Sequence, residues 1–288
     1  MTVLVTGVTG RVGGRLARTL VGEGRPVRGL VRDPSRGDAL PREIELAVGD
    51  YADADSLDRA FAGVERAFMV CLPEAAPGRL VKHDNVVAAA ARAGVRHLAY
   101  LSFLGASPDS AFPQGRWHAH TEASLTSAGV PSTHLRAGLY QSSLLSTAGV
   151  RIGDQLLAPA GDGRTAPVAW QDIADAAAAV LTAEGHQGRT YDLTGPELLG
   201  WADLARVLSA VTGANVVYEP ISPEHYRSML AETGAASELI EGLLGLFADI
   251  RTHRMATLSD TIPSLTGSPA TDVAATFTLL TAEESAPA

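Results

Sequence analysis

The sequence predicts an α/β fold: a doubly wound parallel sheet (Rossmann-like) with helices on both faces and a small, mostly helical C-terminal cap. Short β-rich runs alternate with helical patterns through the first 137 residues. The connections between them are short, and right-handed crossovers then place helices on both faces of the sheet. Three glycines, at positions 7, 10 and 13, separate the first strand from the first helix.

The predicted elements follow one another in a regular order. The predicted strands are TVLVT, PVRGLV, IELAVGD, RAFMVCL, HLAYLS and STHLR. The predicted helices are residues 10–23, SLDRAFAG, LVKHDNVVAAAARAG and a segment near 117–128.

After about residue 137 the alternation loosens. AGDGRTAPVAW is rich in turn residues, QDIADAAAAVLTAEG is a helical pattern, and YDLTGPE, WADLARVLSAVTG and NVVYEP follow. From Ile221 the pattern is mostly helical, with Pro and Gly between the helices. We therefore expect a core over residues 1–150, and the remaining sheet elements with the cap over residues 151–288, within one integrated domain.

Composition and charge exclude several classes of protein. Apolar residues make up 46% and charged residues 19%, which suits a sizeable core. The net charge of −9 and the scattered basic residues argue against a nucleic-acid surface. The chain has no signal-peptide pattern and no membrane-length apolar run. The single cysteine, Cys71, predicts a reducing, cytoplasmic location. A homodimer is left open.

The three glycines have distinct predicted roles at the strand-to-helix junction. Gly7 permits the tight turn, Gly10 lets a pyrophosphate approach the backbone, and Gly13 lets the helix lie close to the strand. The N-terminus of the helix offers N–H groups and a partial positive charge to phosphates. The stretch VLVTGVTGRVGGRLARTL therefore predicts a dinucleotide site.

The end of the second strand favours NADP(H) over NAD(H). Arg32 comes directly off the strand and Arg36 follows closely, as an acceptor of a 2′-phosphate requires. Asp33, which could bind a ribose hydroxyl, could instead cap the next turn because Pro34 follows it. We expect the cofactor to contact Gly7, Thr9, Gly10, Arg11, Val12, Gly13, Arg32, Asp50, Tyr51, Cys71, Leu72 and Ser102.

Substrate is expected beyond the carboxyl ends of the strands. The long segment SFLGASPDSAFPQGRWHAH ends there and contains several aromatic residues, as a lid over a flat, apolar small molecule would. An ordinary surface loop packed on the cap is the alternative. His118 could supply a proton, as could His120, or either could be a helix-face hydrogen-bonding residue. The predicted pocket residues are Phe103, Phe112, Trp117 and Tyr140, with His118 and Tyr140 as catalytic candidates, and no cluster has metal-ligand spacing.

The glycine motif, VGDYAD and the alternating pattern resemble the short-chain dehydrogenase/reductase superfamily. Most of its members use a Tyr-x-x-x-Lys pair as proton donor. Lys82 is the only lysine here, and Gly78 occupies the position four residues before it. That pair is therefore absent from this chain.

More specifically, the sequence is similar to the atypical NmrA-like branch, which contains quinone and triphenylmethane dye reductases and redox-sensing regulators. The matching stretches are TGVTGRVG, LVRDPSR, AAARAGVRHLAYLS, WHAHTEASLTSAGVPSTHLRAG, APVAWQDIADAAAAVL and TYDLTGPE. The resemblance implies an adenine contact at Asp50 and places the pair His118 and Glu122 where the usual lysine lies. Ala137 and Ser143 depart from the branch's usual proline and asparagine.

The expected activity is hydride transfer from NADPH to a quinone-like or conjugated carbonyl acceptor. A non-catalytic NADP(H) sensor that acts on a partner protein is the alternative from another class, and the missing Tyr-x-x-x-Lys pair favours it. A non-redox tailoring enzyme on the same fold is a third reading.

Overall fold

The computed structural model describes residues 1–72, 78–147 and 149–285. The strands are Val3–Val5 (β1), Val27–Val31 (β2), Ile44–Val48 (β3), Arg66–Met69 (β4), His97–Phe103 (β5), Ser132–Ala137 (β6), Val150–Ile152 (β7), Gln155–Ala158 (β8), Arg164–Thr165 (β9), Thr190–Leu193 (β10), Leu199–Gly200 (β11) and Val217–Pro220 (β12). The α-helices are Arg11–Gly22 (α1), Ala54–Phe61 (α2), Gly78–Arg92 (α3), Pro113–Ser127 (α4), Gln141–Thr147 (α5), Trp170–Thr182 (α6), Trp201–Thr212 (α7), Pro223–Glu232 (α8), Ser237–Arg251 (α9), Thr261–Thr266 (α10) and Val273–Ser285 (α11).

Seven of these strands form the main sheet, in the order β10-β6-β5-β4-β1-β2-β3. Strand β1 pairs in parallel with β2 on one side and with β4 on the other. The chain therefore runs outward from β1 through β2 to β3, then crosses back over β1 to begin β4. This reversal creates a switch point at the carboxyl end of β1, where open α/β sheets bind their ligands. The predicted doubly wound parallel sheet is confirmed.

The central strands are apolar on both faces because helices cover both sides of the sheet. All three residues of β1 are buried. On one face, Leu57 and Phe61 of α2 and Val86 of α3 belong to the same buried cluster as Leu4 and Leu98. Helix α2 begins where the Asp53 carboxylate accepts the N–H groups of Asp55 and Ser56, which satisfies two of the free donors at its N-terminus.

Two compact units make up the chain. The first comprises Met1–Phe103, Trp117–Arg136 and Gln171–Tyr191, and the second comprises Leu104–Arg116, Ala137–Trp170 and Asp192–Ala288. The second unit has a three-stranded sheet, β12-β8-β7, and a two-stranded sheet, β11-β9. Its C-terminal part is helical, as predicted. No helix within the described residues has the length and apolar character needed to cross a bilayer.

Several short elements of the second unit have no counterpart in the sequence prediction. Strand β9 lies inside AGDGRTAPVAW, which the turn residues assigned to loop, and β7, β8 and β11 are likewise new. Strands of two to four residues carry too few side chains to show a period of two. Helix α4 begins at Pro113, earlier than predicted, since proline is well suited to the first position of a helix.

Within the second unit, the loop of residues 104–112, which connects β5 to α4, is held by one carboxylate from α9. Asp249 is buried and accepts the N–H groups of Ala111 (3.0 Å) and Phe112 (3.3 Å) as well as the Ser110 hydroxyl. Gly245, one turn earlier on α9, has no side chain, so the backbone of Ala111 can approach the helix closely. We define this arrangement as the Asp249 anchor.

Candidate active site

The glycine turn after β1 has the geometry that the sequence predicts. Gly7 has φ +61°, a left-handed conformation that favours glycine, and a Cβ there would lie 2.6 Å from Val70 Cγ2. A Cβ on Gly13 would lie 2.8 Å from the Gly7 carbonyl carbon, so only glycine lets α1 pack this close to the turn. A Cβ on Gly10 would meet only the Gly7 oxygen, at 3.2 Å. The backbone at Gly10 is therefore open to a ligand.

The N-terminus of α1 follows directly on this turn. Its first intrahelical bond runs from the Gly14 N–H to the Gly10 carbonyl oxygen (2.8 Å), so the N–H groups of Arg11, Val12 and Gly13 precede it. No acidic side chain lies in the first turn of the helix. Such an N-terminus attracts anions through its N–H groups and its partial positive charge.

A cleft of about 270 Å³ lies at the carboxyl ends of β1, β2 and β4. Seven of the predicted cofactor residues line it: Gly7, Thr9, Arg32, Asp50, Tyr51, Cys71 and Leu72. Arg36, which the sequence placed beside Arg32 as a phosphate partner, also lines the cleft, whereas Leu30, Val31 and Val70 were not predicted to do so. These three apolar residues lie in strands or at strand ends, where a residue that lines a cleft cannot be told from a core residue by its type.

Two arginines give the β2 side of the cleft a positive charge. Arg32 and Arg36 both line it and both are exposed. Asp33 lies between them, but its carboxylate accepts the Ser35 N–H (3.0 Å) and the Ser35 hydroxyl (2.8 Å). These bonds hold the pKa of Asp33 below its usual value. Asp33 therefore caps the turn after β2, which was the alternative reading, and the arginines are placed to accept a phosphate.

Replacing one of these arginines should change cofactor preference. A charge-assisted phosphate contact contributes about 1.5–3 kcal/mol, so Arg32→Ala should remove roughly 10- to 100-fold of any preference for NADPH over NADH. Calorimetric titration of both cofactors measures this. Arg96→Ala, which removes an exposed arginine that pairs with Glu65, is the control. Equal affinities of the wild-type protein for NADPH and NADH would contradict the prediction.

Asp50 and Tyr51 line the cleft beyond the end of β3. The Asp50 carboxylate accepts the Ala52 N–H (2.8 Å), so it also has the turn role that the sequence allowed. The Tyr51 hydroxyl donates to Thr6 Oγ1 (2.7 Å) and burial raises its pKa. Tyr51 therefore contributes its ring to the cleft wall, while its hydroxyl is committed to β1.

Cys71 and Leu72 form the β4 side of the cleft. Burial raises the pKa of the Cys71 thiol, although the charge of Arg79 partly opposes that shift. The thiol is therefore protonated at neutral pH, as expected for an unreactive cysteine. The Leu72 N–H donates to His83 Nε2 on α3 (3.2 Å), which ties this segment to the helix behind it.

Ser102 lies beyond the residues that line the cleft. Its hydroxyl is buried and donates to Glu122 Oε1 (2.5 Å). The Arg136 guanidinium forms a bidentate ion pair with the same carboxylate: its Nε lies 3.0 Å from Oε1 and its Nη2 lies 2.6 Å from Oε2. Glu122 therefore joins β5, α4 and β6 in one buried polar cluster. A direct contact between Ser102 and the cofactor stays a prediction.

His118 is buried and both of its ring nitrogens have partners. Nε2 accepts from the Arg79 guanidinium (3.3 Å), and Nδ1 lies 2.8 Å from the Tyr100 hydroxyl. Burial, and then the charge of Arg79, lower the His118 pKa well below the usual value. The ring is therefore neutral at physiological pH, which favours water as the source of a proton. A catalytic role for His118 stays a prediction.

The predicted pocket residues are divided between the two units. The Phe103 ring stacks on the His118 ring, with the ring centroids 6.0 Å apart. The Arg79 guanidinium lies over the Trp117 ring, with its Cζ 5.1 Å from the ring centroid. Phe112 and Tyr140 belong to the second unit, where Tyr140 forms a backbone bridge to Val168. The substrate contacts of these four residues stay predictions.

The sequence reasoning missed Arg79 and His83, which are both buried on α3. They are four residues apart and therefore lie on one face of the helix. A basic residue and a histidine on the inward face of an Ala- and Val-rich helix were the available signal. Among the described residues no cluster of His, Cys, Asp and Glu is arranged to hold a metal ion.

Comparison with known proteins places this geometry in a family. A model described as the NmrA-like family matches residues 1–259. The chain belongs to the NmrA-like family. One relative, the (4-alkanoyl-5-oxo-2,5-dihydrofuran-3-yl)methyl phosphate reductase of Streptomyces griseus, is 36% identical over 270 residues, covering 93% of this chain and 94% of the relative. The NAD(P)H azoreductase of Xenophilus azovorans is 31% identical, with the same coverage.

A solved structure of an NmrA-like fold agrees closely with this one. The NADPH-dependent quinone oxidoreductase of Escherichia coli, crystallised with NADPH, superposes with a TM-score of 0.89 and is 30% identical. The match covers 98% of this chain and 100% of that chain. The resemblance drawn from the sequence motifs is confirmed.

Proposed function

We propose that this chain is an NADPH-dependent oxidoreductase that transfers a hydride to a quinone-like or conjugated carbonyl molecule. The observation that carries the proposal is the cleft at the switch point, which joins an open glycine turn to two arginines. Its match over 98% of the chain to a quinone oxidoreductase crystallised with NADPH supports the choice of cofactor.

The residues of the cleft fit the parts of NADP(H). The N–H groups of Arg11, Val12 and Gly13 would hold the pyrophosphate, since they precede the first bond of α1. Arg32 and Arg36 would pair with the 2′-phosphate at the end of β2. The adenosine half would therefore lie over β2 and β3, and the other nucleotide would extend across β1 toward β4.

The acceptor class follows from the chemistry that the relatives' names share. A quinone and a 5-oxo-2,5-dihydrofuran both hold an electron-poor C=C bond next to a carbonyl group. Bound NADPH supplies the hydride, and one proton from water completes the reduction, so that two electrons and two protons convert a quinone into a hydroquinone. Phe103 and Trp117 are aromatic surfaces suited to a flat acceptor.

NADPH oxidation tests this proposal directly. We expect the absorbance of NADPH to fall faster when menadione, a benzoquinone, an azo dye or 2(5H)-furanone is added. His118→Gln keeps the side-chain volume, and it should lower kcat by less than about 3-fold if water supplies the proton. A loss of about 100-fold would instead identify His118 as a general acid.

A dinucleotide sensor predicts a different set of results. It would bind NADP(H) tightly and show no acceptor-dependent turnover across that panel. It would also retain a protein partner only in the presence of one redox form of the cofactor. That combination would overturn the reductase proposal while leaving the cofactor site in place.

A further inference from the structure

The backbone that ends β4 is held from behind by a buried histidine. Cys71 and Leu72 line the cleft, and the Leu72 N–H donates to His83 Nε2 at 3.2 Å. His83 lies on α3 and is fully buried. No step of the proposed reaction uses it, although it contacts the wall of the cofactor cleft directly.

The hydrogen bonds around His83 define which nitrogen carries the proton. Nε2 accepts the Leu72 N–H, so the neutral ring carries its hydrogen on Nδ1, which lies 2.9 Å from Thr121 Oγ1. The Thr121 hydroxyl in turn donates to the Trp117 carbonyl oxygen (3.2 Å). Burial, and then the charge of Arg79, lower the pKa of His83 to about 3. His83 Nε2 therefore remains a hydrogen-bond acceptor across the physiological pH range.

This bond fixes the orientation of a peptide group at the cleft. A trans peptide directs its carbonyl oxygen and its N–H to opposite sides. Because the Leu72 N–H is directed toward α3, the Cys71 carbonyl oxygen is directed away from it. Strand β4 lies on the opposite side of β1 from β2, where Arg32 and Arg36 are. The carbonyl group therefore lies on the nicotinamide side of a dinucleotide that crosses β1.

We propose that His83 is a positioning residue for the nicotinamide half of the cofactor: by holding the Leu72 N–H, it presents the Cys71 carbonyl oxygen as an acceptor for a ribose hydroxyl or carboxamide N–H. The inference rests on the proposed function, because it requires NADP(H) in the cleft. It predicts an effect confined to one half of the ligand, which a general loss of structure would not produce.

Comparing two ligands distinguishes an effect on one half of the site from an effect on the whole site. NADPH occupies the whole cleft, whereas adenosine 2′,5′-bisphosphate fills only the side near Arg32. Calorimetry should show that His83→Leu weakens NADPH binding by about 10-fold, as the loss of a hydrogen-bonded contact predicts, and leaves bisphosphate binding within 2-fold. His83→Gln should restore NADPH affinity to within about 3-fold, since its amide oxygen can accept the Leu72 N–H.

Two further variants complete the test. Val81→Ala, at an exposed position on the same helix, is the control and should change neither affinity. If His83→Leu fails to fold, Thr121→Val removes the hydroxyl oxygen that accepts the His83 Nδ1 hydrogen and so loosens the ring, and it should weaken NADPH binding alone, by about 3-fold.

The outcomes distinguish this inference from the proposed function. Unchanged NADPH affinity in His83→Leu, an equal loss for both ligands, or no rescue by glutamine would overturn the role of His83. If Thr121→Val is the variant measured, unchanged NADPH affinity or an equal loss for both ligands would do the same. A wild-type protein that binds neither NADPH nor the bisphosphate would overturn the cofactor site itself.

Discussion

Gly10→Val is expected to abolish tight NADPH binding and to leave the fold almost unchanged. Gly10 has φ −91° and ψ 173°, which any residue can adopt, and its Cβ would approach only the Gly7 oxygen, at 3.2 Å. A branched side chain would therefore occupy the space of the pyrophosphate rather than that of the protein. Loss of two phosphate contacts, at about 1.5–3 kcal/mol each, corresponds to a weakening of at least about 100-fold.

Gly13→Ala, in contrast to Gly10→Val, should lower the stability of the fold. A Cβ at this position would lie 2.8 Å from the Gly7 carbonyl carbon and 2.9 Å from the Thr6 oxygen, which are backbone atoms that cannot rotate away. Overpacking of this kind costs about 1–3 kcal/mol of unfolding free energy. Urea unfolding and calorimetry of both variants test the pair. A Gly10→Val protein that binds NADPH normally would show that the cofactor lies elsewhere.

As the pH is lowered, this protein should begin to lose stability at a higher pH than protonation of its carboxylates alone would cause. Burial is the largest cause that lowers the pKa values of two histidines. The pKa of His83 falls to about 3 and that of His97 to about 4. The unfolded chain binds protons at both residues near pH 6.5 while the folded chain does not, so stability is complete above pH 6.5 and is lost as the pH falls toward these folded pKa values. At pH 5 the loss should be about 1–2 kcal/mol for each histidine.

Urea unfolding at pH 7.5, 6 and 5 measures this loss. In His83→Gln one of the two groups no longer titrates, so the decrease between pH 7.5 and 5 should be smaller than in the wild-type protein by about 1–2 kcal/mol. The carboxyl groups with lowered pKa values, such as Asp33 and Asp109, titrate below this window. A flat stability profile between pH 7.5 and 5 would contradict the buried, neutral histidines.

The parts of the site that sequence predicted best are those governed by local rules. The roles of Gly7 and Gly13 follow from backbone sterics at one strand-to-helix turn, and the structure shows the crowding that requires glycine. Similarly, Pro34 gave a reason to read Asp33 as a cap, and the carboxylate does bond to Ser35. In each case the interacting residues lie within a few positions of one another.

The residues that sequence could not place depend on contacts between distant elements. His83 acquires its role from Leu72, on a different element, and Glu122 acquires its cluster from Ser102 and Arg136. Burial also lowers the pKa of His118 well below the usual value on which the sequence-based choice of a proton donor rested. Composition and spacing do not report the dielectric environment of a side chain.

The Asp249 anchor has a consequence for engineering specificity. The C-terminal end of the loop of residues 104–112 is held by a carboxylate that lies more than 130 residues later in the chain. The same loop, moved into a protein without that carboxylate, would arrive without the acceptor that orders its backbone, unless α9 came with it. The loop and the helix therefore form one exchangeable module, and mutant libraries that vary the loop should retain Asp249, which accepts the backbone N–H groups of residues 111 and 112, and Gly245, which leaves room for that backbone.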